Sequence, residues 1–204
     1  LVGSEMCIRD SLNDAFGHQE GLKITYNHHE QACTIAAEGY TRQTGKIAPV
    51  CVTGGPGGTN AITGVFGAYV DSIPMFVVTG QAKRETTVWS TNLPLRQLGD
   101  QEVNITSAVS TMTKYAKMIT DPMSIRKEVE KAWFLMLNGR PGPVWLDIPG
   151  DVASTFIETD DLEGFDKQGY IDEHWASFNQ DNPVYDEQYT NCLLYTSPSP
   201  RDST

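Results

Sequence analysis

The sequence lacks the features that mark several common classes of protein. Its four cysteines include no C-x-x-C pair and are too scattered for a disulfide framework or a metal site. No run of about 18 apolar residues occurs, so we predict no membrane-spanning helix. Neither the G-x-x-x-x-G-K-[ST] nor the G-x-G-x-x-G phosphate-binding motif is present, which argues against a nucleotide-binding protein of either type.

Basic charge is scarce, and the excess of acidic charge is confined to one segment. The formal net charge of −11 argues against a nucleic-acid partner. Residues 12–150 carry twelve basic and twelve acidic side chains, whereas residues 151–190 carry one lysine and eleven acidic residues. The acidic segment also contains seven aromatic residues, which is unusual for a disordered tail. We therefore interpret residues 151–190 as a linker toward a further, central domain, with a solvated tail as the alternative.

The two ends of the chain differ from the rest. Residues 1–11 and 191–204 show neither helical nor strand periodicity and resemble translated sequencing-adapter sequence, so we treat both segments as artefacts. The alternative is that they are native flexible tails. On the first interpretation the natural sequence continues on both sides and the chain is a fragment. No apolar segment follows basic residues near the N-terminus, so we predict no signal peptide and a cytoplasmic protein.

Helical and strand patterns alternate between residues 22 and 150, and the strands are apolar throughout. This combination predicts an α/β fold, a doubly wound parallel sheet with helices on both faces. The predicted strands are residues 22–27, 47–53, 75–79, 115–119 and 144–148. The predicted helices are residues 29–44, 59–70, 102–111 and 121–138.

The same pattern predicts where the core and the binding site lie. Apolar spacing indicates that the first helix buries Ala32, Cys33, Ala36, Ala37 and Tyr40. It indicates that the last helix buries Ile125, Val129, Trp133 and Met136. Ligands of such sheets bind beyond the carboxyl ends of the strands. Polar or glycine-rich segments follow three predicted strands at residues 27–30, 54–58 and 80–81, so we expect the site there.

An ordered set of short motifs over residues 22–152 resembles acetolactate-synthase-type enzymes, which depend on thiamine diphosphate (ThDP). Each motif is weak alone, but the set in this order is specific. The matching segments are HHE at 28–30, AEGY at 37–40, TG at 44–45, GGPG at 54–57, TN at 59–60, DSIP at 71–74, TGQ at 79–81, QE at 101–102, GRPGPV at 139–144 and DIP at 147–149. The resemblance implies that residues 12–150 are the pyrimidine-binding domain of such an enzyme, incomplete at its N-terminus.

The resemblance assigns the central chemical role to Glu30. In the resembled family a glutamate at this motif position hydrogen-bonds the aminopyrimidine ring nitrogen and so activates the cofactor, which performs the organic chemistry itself. A glutamate at the start of a helix could instead only favour the helix dipole. The ordered motifs around Glu30 favour the catalytic role.

Further site residues are implied by the same resemblance. Cofactor contacts would come from Gly55, Pro56, Gly57 and Asn60, and substrate contacts from His29, Gln81 and Gln101. Each assignment has an alternative. The glycine-rich loop could form a tight turn without binding a ligand, His29 could only position the junction, and the two glutamines could have packing or surface roles. Two departures from the family make the exact substrate an open question: Gly54 stands where the family has serine, and residues 95–100 replace a usual phenylalanine.

The resemblance also implies partners outside this chain. The family holds the diphosphate through Mg²⁺ with a G-D-G…N-N motif in a second domain, and that motif does not occur here. Its cofactor lies between two subunits, so we expect a homodimer or homotetramer and an isolated chain that is inactive. The expected activity is decarboxylation and carboligation of 2-keto acids. The alternatives are a simple decarboxylase, another C–C lyase, or a non-catalytic module.

Overall fold

The computed structural model describes residue 12 and residues 14–175, which belong to two compact units that divide between Phe165 and Asp166. The first unit contains a four-stranded sheet in the order β1-β2-β4-β3. Every neighbouring pair of these strands is parallel. The strands are β1 Val50–Val52, β2 Phe76–Gln81, β3 Tyr115–Met118 and β4 Val144–Pro149.

Helices cover both faces of the sheet, as the sequence predicts. They are α1 Glu30–Thr44, α2 Pro56–Val70, α3 Ile105–Val109, α4 Ile125–Leu137 and α5 Gly150–Ala153. Side chains of β4 alternate between two cores: Trp145 packs with residues of α1, α2 and α3, whereas Leu146 packs with residues of α4 and α5. Burial on both faces explains why the strands are apolar throughout, and it confirms the predicted α/β architecture.

One predicted strand is absent. Residues 22–27 are not a strand, and Leu22 and Tyr26 are largely exposed. A strand exists only where a neighbour completes its ladder of backbone hydrogen bonds, and among the described residues none pairs with this segment. The β-rich composition alone was therefore misleading.

The contact between α1 and α2 depends on two threonines and on Ala37, whose burial was predicted, rather than on Tyr40. Thr34, Ala37 and Thr41 are the buried residues of α1, whereas Tyr40 is exposed. A Cβ at Gly64 of α2 would lie 2.3 Å from the Thr34 hydroxyl oxygen, so this glycine permits the close approach. The Thr34 hydroxyl lies 3.2 Å from the Ala61 carbonyl oxygen, to which it donates a hydrogen bond. The predicted burial of Ala32 and Ala36 is also wrong.

The core face of α4 was also predicted partly wrongly. Met136 is buried, but Val129 and Trp133 are 37% and 41% exposed, and Glu128 is buried instead. The hydroxyl of Tyr115 and the ammonium of Lys117, both on β3, donate hydrogen bonds to the Glu128 carboxylate. These two donors satisfy the hydrogen-bonding needs of the buried Glu128 carboxylate. The buried face of α4 therefore includes Glu128 and differs from the face that the apolar spacing predicts.

The acidic segment begins as part of the first unit. The Phe165 backbone N–H donates to the Glu130 carboxylate of α4 at 2.7 Å, and the Phe165 ring lies 5.7 Å from the Phe134 ring. In the second unit, helix α6 Lys167–Tyr170 continues into a π-helical turn, Ile171–Trp175. The rest of the predicted linker, residues 176–190, and the two predicted artefacts lie outside the described residues. Within the described part of the chain, no helix is long and apolar enough to cross a membrane.

Candidate active site

The carboxyl ends of β1 and β2 meet one loop at a small pocket, in the place expected for a parallel sheet. The glycine turn after β1 forms one wall, the end of β2 forms the floor, and the loop of residues 99–104 forms the other wall. Lining residues from these three segments are Thr53, Gly54, Gly55, Gly80, Gln81 and Gln101. The predicted segments 54–58 and 80–81 therefore do come together.

Two glycines allow the turn to pack against its neighbours. A Cβ at Gly54 would lie 2.3 Å from the Gly80 carbonyl oxygen, so the serine of the resembled family would not fit this arrangement. Gly55 has φ 56°, and a Cβ there would lie 2.4 Å from the Gln101 carbonyl oxygen. Pro56 follows as the first residue of α2, three residues earlier than the sequence predicts for this helix. The glycine-rich segment is therefore both a tight turn and a helix start.

Substitutions at the two sides of this contact are expected to differ in their effect on stability. Gly55→Ala should lower the free energy of unfolding by roughly 2–4 kcal/mol, because it adds a clash to a left-handed φ. Gln101→Gly should change it by less than about 1 kcal/mol, because Gln101 itself has φ 53° and glycine relieves that strain. Urea unfolding of the 204-residue chain measures both, with Gly39→Ala, a helical site with open space, as the control. An equal loss in the free energy of unfolding for Gly55→Ala and Gly39→Ala would contradict the close contact between Gly55 and Gln101.

Glu30 is the first residue of α1 and is half-buried beside the start of α2. The Asn60 side-chain N–H group donates to Glu30 Oε2 at 3.2 Å. A Cβ at Gly57 would lie 3.2 Å from Glu30 Oε1, and no described residue donates a hydrogen bond to that oxygen. The structure therefore brings Glu30, Gly57 and Asn60 together, with one carboxylate oxygen held and the other available. Glu30 does not line the pocket described above.

His29 has a structural role at the start of α1. Its ring is exposed, and Nδ1 accepts a hydrogen bond from the Gln31 backbone N–H at 3.2 Å. It is thus the N-cap of the helix that carries Glu30. The alternative of a positioning role is favoured, and the substrate contact stays a prediction.

The two candidate glutamines have different environments. Gln81 is 5% exposed, and its side-chain N–H groups donate to the Val103 carbonyl and to the Asp147 carboxylate, each at 2.9 Å. Both N–H groups are used inside the protein, which favours the packing alternative for Gln81. Gln101 is exposed and faces the pocket, so it is the glutamine that is available to a substrate.

Asp147 is a residue of this region to which the sequence led us to assign no role. The register of β2 and β4 places it opposite Thr79, whose hydroxyl donates to Asp147 Oδ1 at 2.7 Å. The Trp145 indole N–H donates in turn to the Thr79 hydroxyl oxygen at 2.8 Å. Burial raises the pKa of Asp147 to about 7, although the hydrogen bonds from Thr79 and Gln81 oppose the rise. The signal in the sequence that could have identified Asp147 is a carboxylate inside the otherwise apolar strand 144–148.

Comparison with known proteins agrees with this geometry. Residues 8–108 match the family described as "Thiamine pyrophosphate enzyme, N-terminal TPP binding domain". The acetolactate synthase large subunit of Lactococcus lactis subsp. lactis (strain IL1403) is 39% identical over 143 residues, which are 70% of this chain and 24% of that protein. The acetolactate synthase of Arthrospira platensis is 36% identical over 157 residues, 76% of this chain and 25% of that protein.

A third relative gives the same result. The acetolactate synthase large subunit of Haemophilus influenzae (strain ATCC 51907 / DSM 11121 / KW20 / Rd) is 37% identical over 143 residues, 70% of this chain and 24% of that protein. The chain spans about a quarter of the length of the curated relatives that it matches. The family match covers Glu30, the glycine turn, Gln81 and Gln101. The chain therefore belongs to the thiamine pyrophosphate enzyme family, through an N-terminal TPP-binding domain of the acetolactate-synthase type.

Proposed function

We propose that this chain supplies the pyrimidine-binding half of the active site of an enzyme that decarboxylates a 2-keto acid and transfers the remaining fragment to an acceptor carbonyl. The observation that carries the proposal is Glu30, whose Oε1 is available while Asn60 holds Oε2. Similarity to acetolactate synthases supports the reaction class.

The residues present fit the pyrimidine end of ThDP. Gly57 brings backbone rather than a side chain to Glu30 Oε1, so a flat heterocycle could approach the carboxylate there. The rigid junction between His29 and α1 fixes the direction of Glu30, and a carboxylate can give or take a proton at a ring nitrogen. Asn60 orients that carboxylate, and the exposed amide of Gln101 could bind the substrate's carboxylate. When bound, ThDP supplies the nucleophile and the electron sink for decarboxylation.

Product analysis of the full-length protein tests the reaction class. With pyruvate as the substrate we expect acetolactate, because carboligation follows decarboxylation in enzymes of the proposed type. Acetaldehyde as the sole product would support the decarboxylase alternative, and turnover of another C–C bond would support a different lyase. Absence of any ThDP-dependent product from a panel of 2-keto acids would contradict the proposal.

We further propose that the diphosphate and Mg²⁺ bind outside this chain, in a cytoplasmic homodimer or homotetramer of the full-length protein. One observation supports this division: the relatives are about four times as long as the matched segment.

The 204-residue chain alone should bind ThDP weakly and catalyse nothing. The physical reason is that the proposed site offers the pyrimidine ring a carboxylate, whereas the described residues that line the pocket include no lysine or arginine for the charged diphosphate. Calorimetric titration with ThDP and Mg²⁺ is expected to show no binding in the micromolar range. Micromolar affinity for this chain would contradict the proposed division of the site, while leaving the role of Glu30 intact.

A further inference from the structure

The carboxylate of Glu102, in the loop of residues 99–104, binds the backbone of the segment that precedes this loop. Glu102 Oε1 accepts a hydrogen bond from the Val88 backbone N–H at 2.7 Å. Oε2 accepts two more, from the Leu98 N–H at 3.0 Å and from the Gly99 N–H at 3.1 Å. Three backbone donors on one side chain connect the two ends of the irregular segment 88–99. Hydrogen bonds to a charged acceptor are among the stronger ones in proteins.

The residue directly before Glu102 is the one that faces the pocket. Gln101 has φ 53°, a left-handed conformation that a non-glycine residue adopts only when its surroundings hold it there. Its carbonyl oxygen and Cβ pack on Gly55 in the glycine turn. From the other side, the Gln81 side chain holds the Val103 carbonyl. Gln101 is therefore presented to the pocket between two anchors, Glu102 and the hydrogen bond to Val103.

We propose that Glu102 is a positioning residue for substrate binding, which acts by holding Gln101 at the pocket. The proposal rests on the proposed function, in which the amide of Gln101 binds the 2-keto acid. Glu102 does not itself line the pocket, and its carboxylate is occupied by the backbone of residues 88–99. Its effect on substrate binding is therefore indirect, and Gln101 is the adjacent residue that faces the pocket.

The geometry makes substitution of Glu102 informative. Glutamine has one acceptor oxygen and an NH₂ group that only donates, so Glu102→Gln can satisfy either Val88 or the Leu98–Gly99 pair, but not both. The amide would also point a donor at a backbone N–H. Glu102→Asp keeps the charge and both oxygens on a shorter side chain, so it should behave as a partial rescue. Glu85→Gln is the matched control, because it removes the same charge from an exposed position in the neighbouring turn.

The first test uses the 204-residue chain and needs no cofactor. Glu102→Gln should accelerate amide hydrogen exchange about tenfold or more at Val88, or at both Leu98 and Gly99. The NMR order parameter of the Gln101 backbone N–H should fall from the rigid range, about 0.85, toward about 0.6. Glu85→Gln should change neither quantity. An unchanged order parameter at Gln101 in Glu102→Gln would overturn the positioning role. If that variant does not fold, Glu102→Asp takes its place and should show a smaller change in the same direction, and an unchanged order parameter there would overturn the positioning role equally.

The second test uses the full-length enzyme and separates binding from chemistry. Glu102→Gln should raise KM for the 2-keto acid about tenfold, with kcat and the Kd for ThDP changed less than about twofold. A purely structural role would instead reduce the folded fraction, which lowers kcat at constant KM. In a Gln101→Gly background, Glu102→Gln should add no further increase in KM, because the two act as one unit. An additive increase would overturn the proposal. Failure of the enzyme to use ThDP would contradict the proposed function but not the exchange result.

Discussion

Glu30→Gln in the full-length protein is expected to lower kcat by about 10²–10⁴-fold while leaving the fold intact. Glutamine keeps the shape of the side chain and its acceptor for Asn60, but it cannot give or take a proton. The loss is the usual contribution of one positioned acid–base group. Steady-state turnover of a 2-keto acid at saturating ThDP and Mg²⁺ measures it, and circular dichroism verifies the fold.

Glu38→Gln is the matched control for this experiment. Glu38 lies two turns further along α1, where its carboxylate pairs with Arg42. It should change turnover little, because it has no contact with Glu30 or with the pocket. Similar turnover for the Glu30→Gln variant and the unchanged enzyme would discard the catalytic assignment and favour the non-catalytic module. Equal losses for both variants would indicate a general effect on α1 rather than acid–base chemistry.

The buried carboxylate of Asp147 should make the stability of the chain fall as the pH rises from about 4 to about 7. Burial raises the pKa of Asp147 from 3.8 to about 7, so in this range the folded state binds a proton that the unfolded state has released. Each pH unit then removes about 1.4 kcal/mol from the free energy of unfolding. The loss amounts to about 4 kcal/mol by pH 7 and levels off above it.

Asp147→Asn isolates this effect from the other titrating groups. Asparagine does not titrate, so the unfolding free energy of the unsubstituted chain should decline relative to that of Asp147→Asn between pH 4.5 and 7. Urea unfolding at half-unit pH intervals measures the difference. Asp100→Asn, at an exposed position, controls for the change in net charge. Parallel stability curves for the unsubstituted chain and Asp147→Asn would show that the carboxyl group does not bind a proton in the folded state over this range.

The main architecture could be predicted because it depends on local patterns. Strands that are buried on both faces leave uninterrupted apolar runs, and the glycine turn after β1 is visible as residues 54–58. The start of α1 at Glu30 follows from the change of periodicity at His29. These features place Glu30 and the glycine turn at the same edge of the sheet before any coordinates are known.

Two of the errors share a physical cause, which is that the deciding partner lies on another element and outside the local pattern. Residues 22–27 have strand composition, but no described strand pairs with them. Glu128 replaces an expected apolar core residue because Tyr115 and Lys117 on β3 reach its carboxylate. In each case the local pattern shows which groups need a partner and not whether the fold provides one.

The sequence by itself determined the class of the fold, the edge of the sheet that carries the site, and the position of Glu30 at a helix start. Only the tertiary structure decided which neighbouring side chains are buried in internal hydrogen bonds and which are exposed at the pocket. Gln81 and Gln101 look equivalent as candidates in the sequence, yet burial commits both N–H groups of Gln81 to Val103 and Asp147. Gln101 stays exposed at the pocket because Glu102 collects three backbone donors beside it, a set of contacts that only the folded chain brings together.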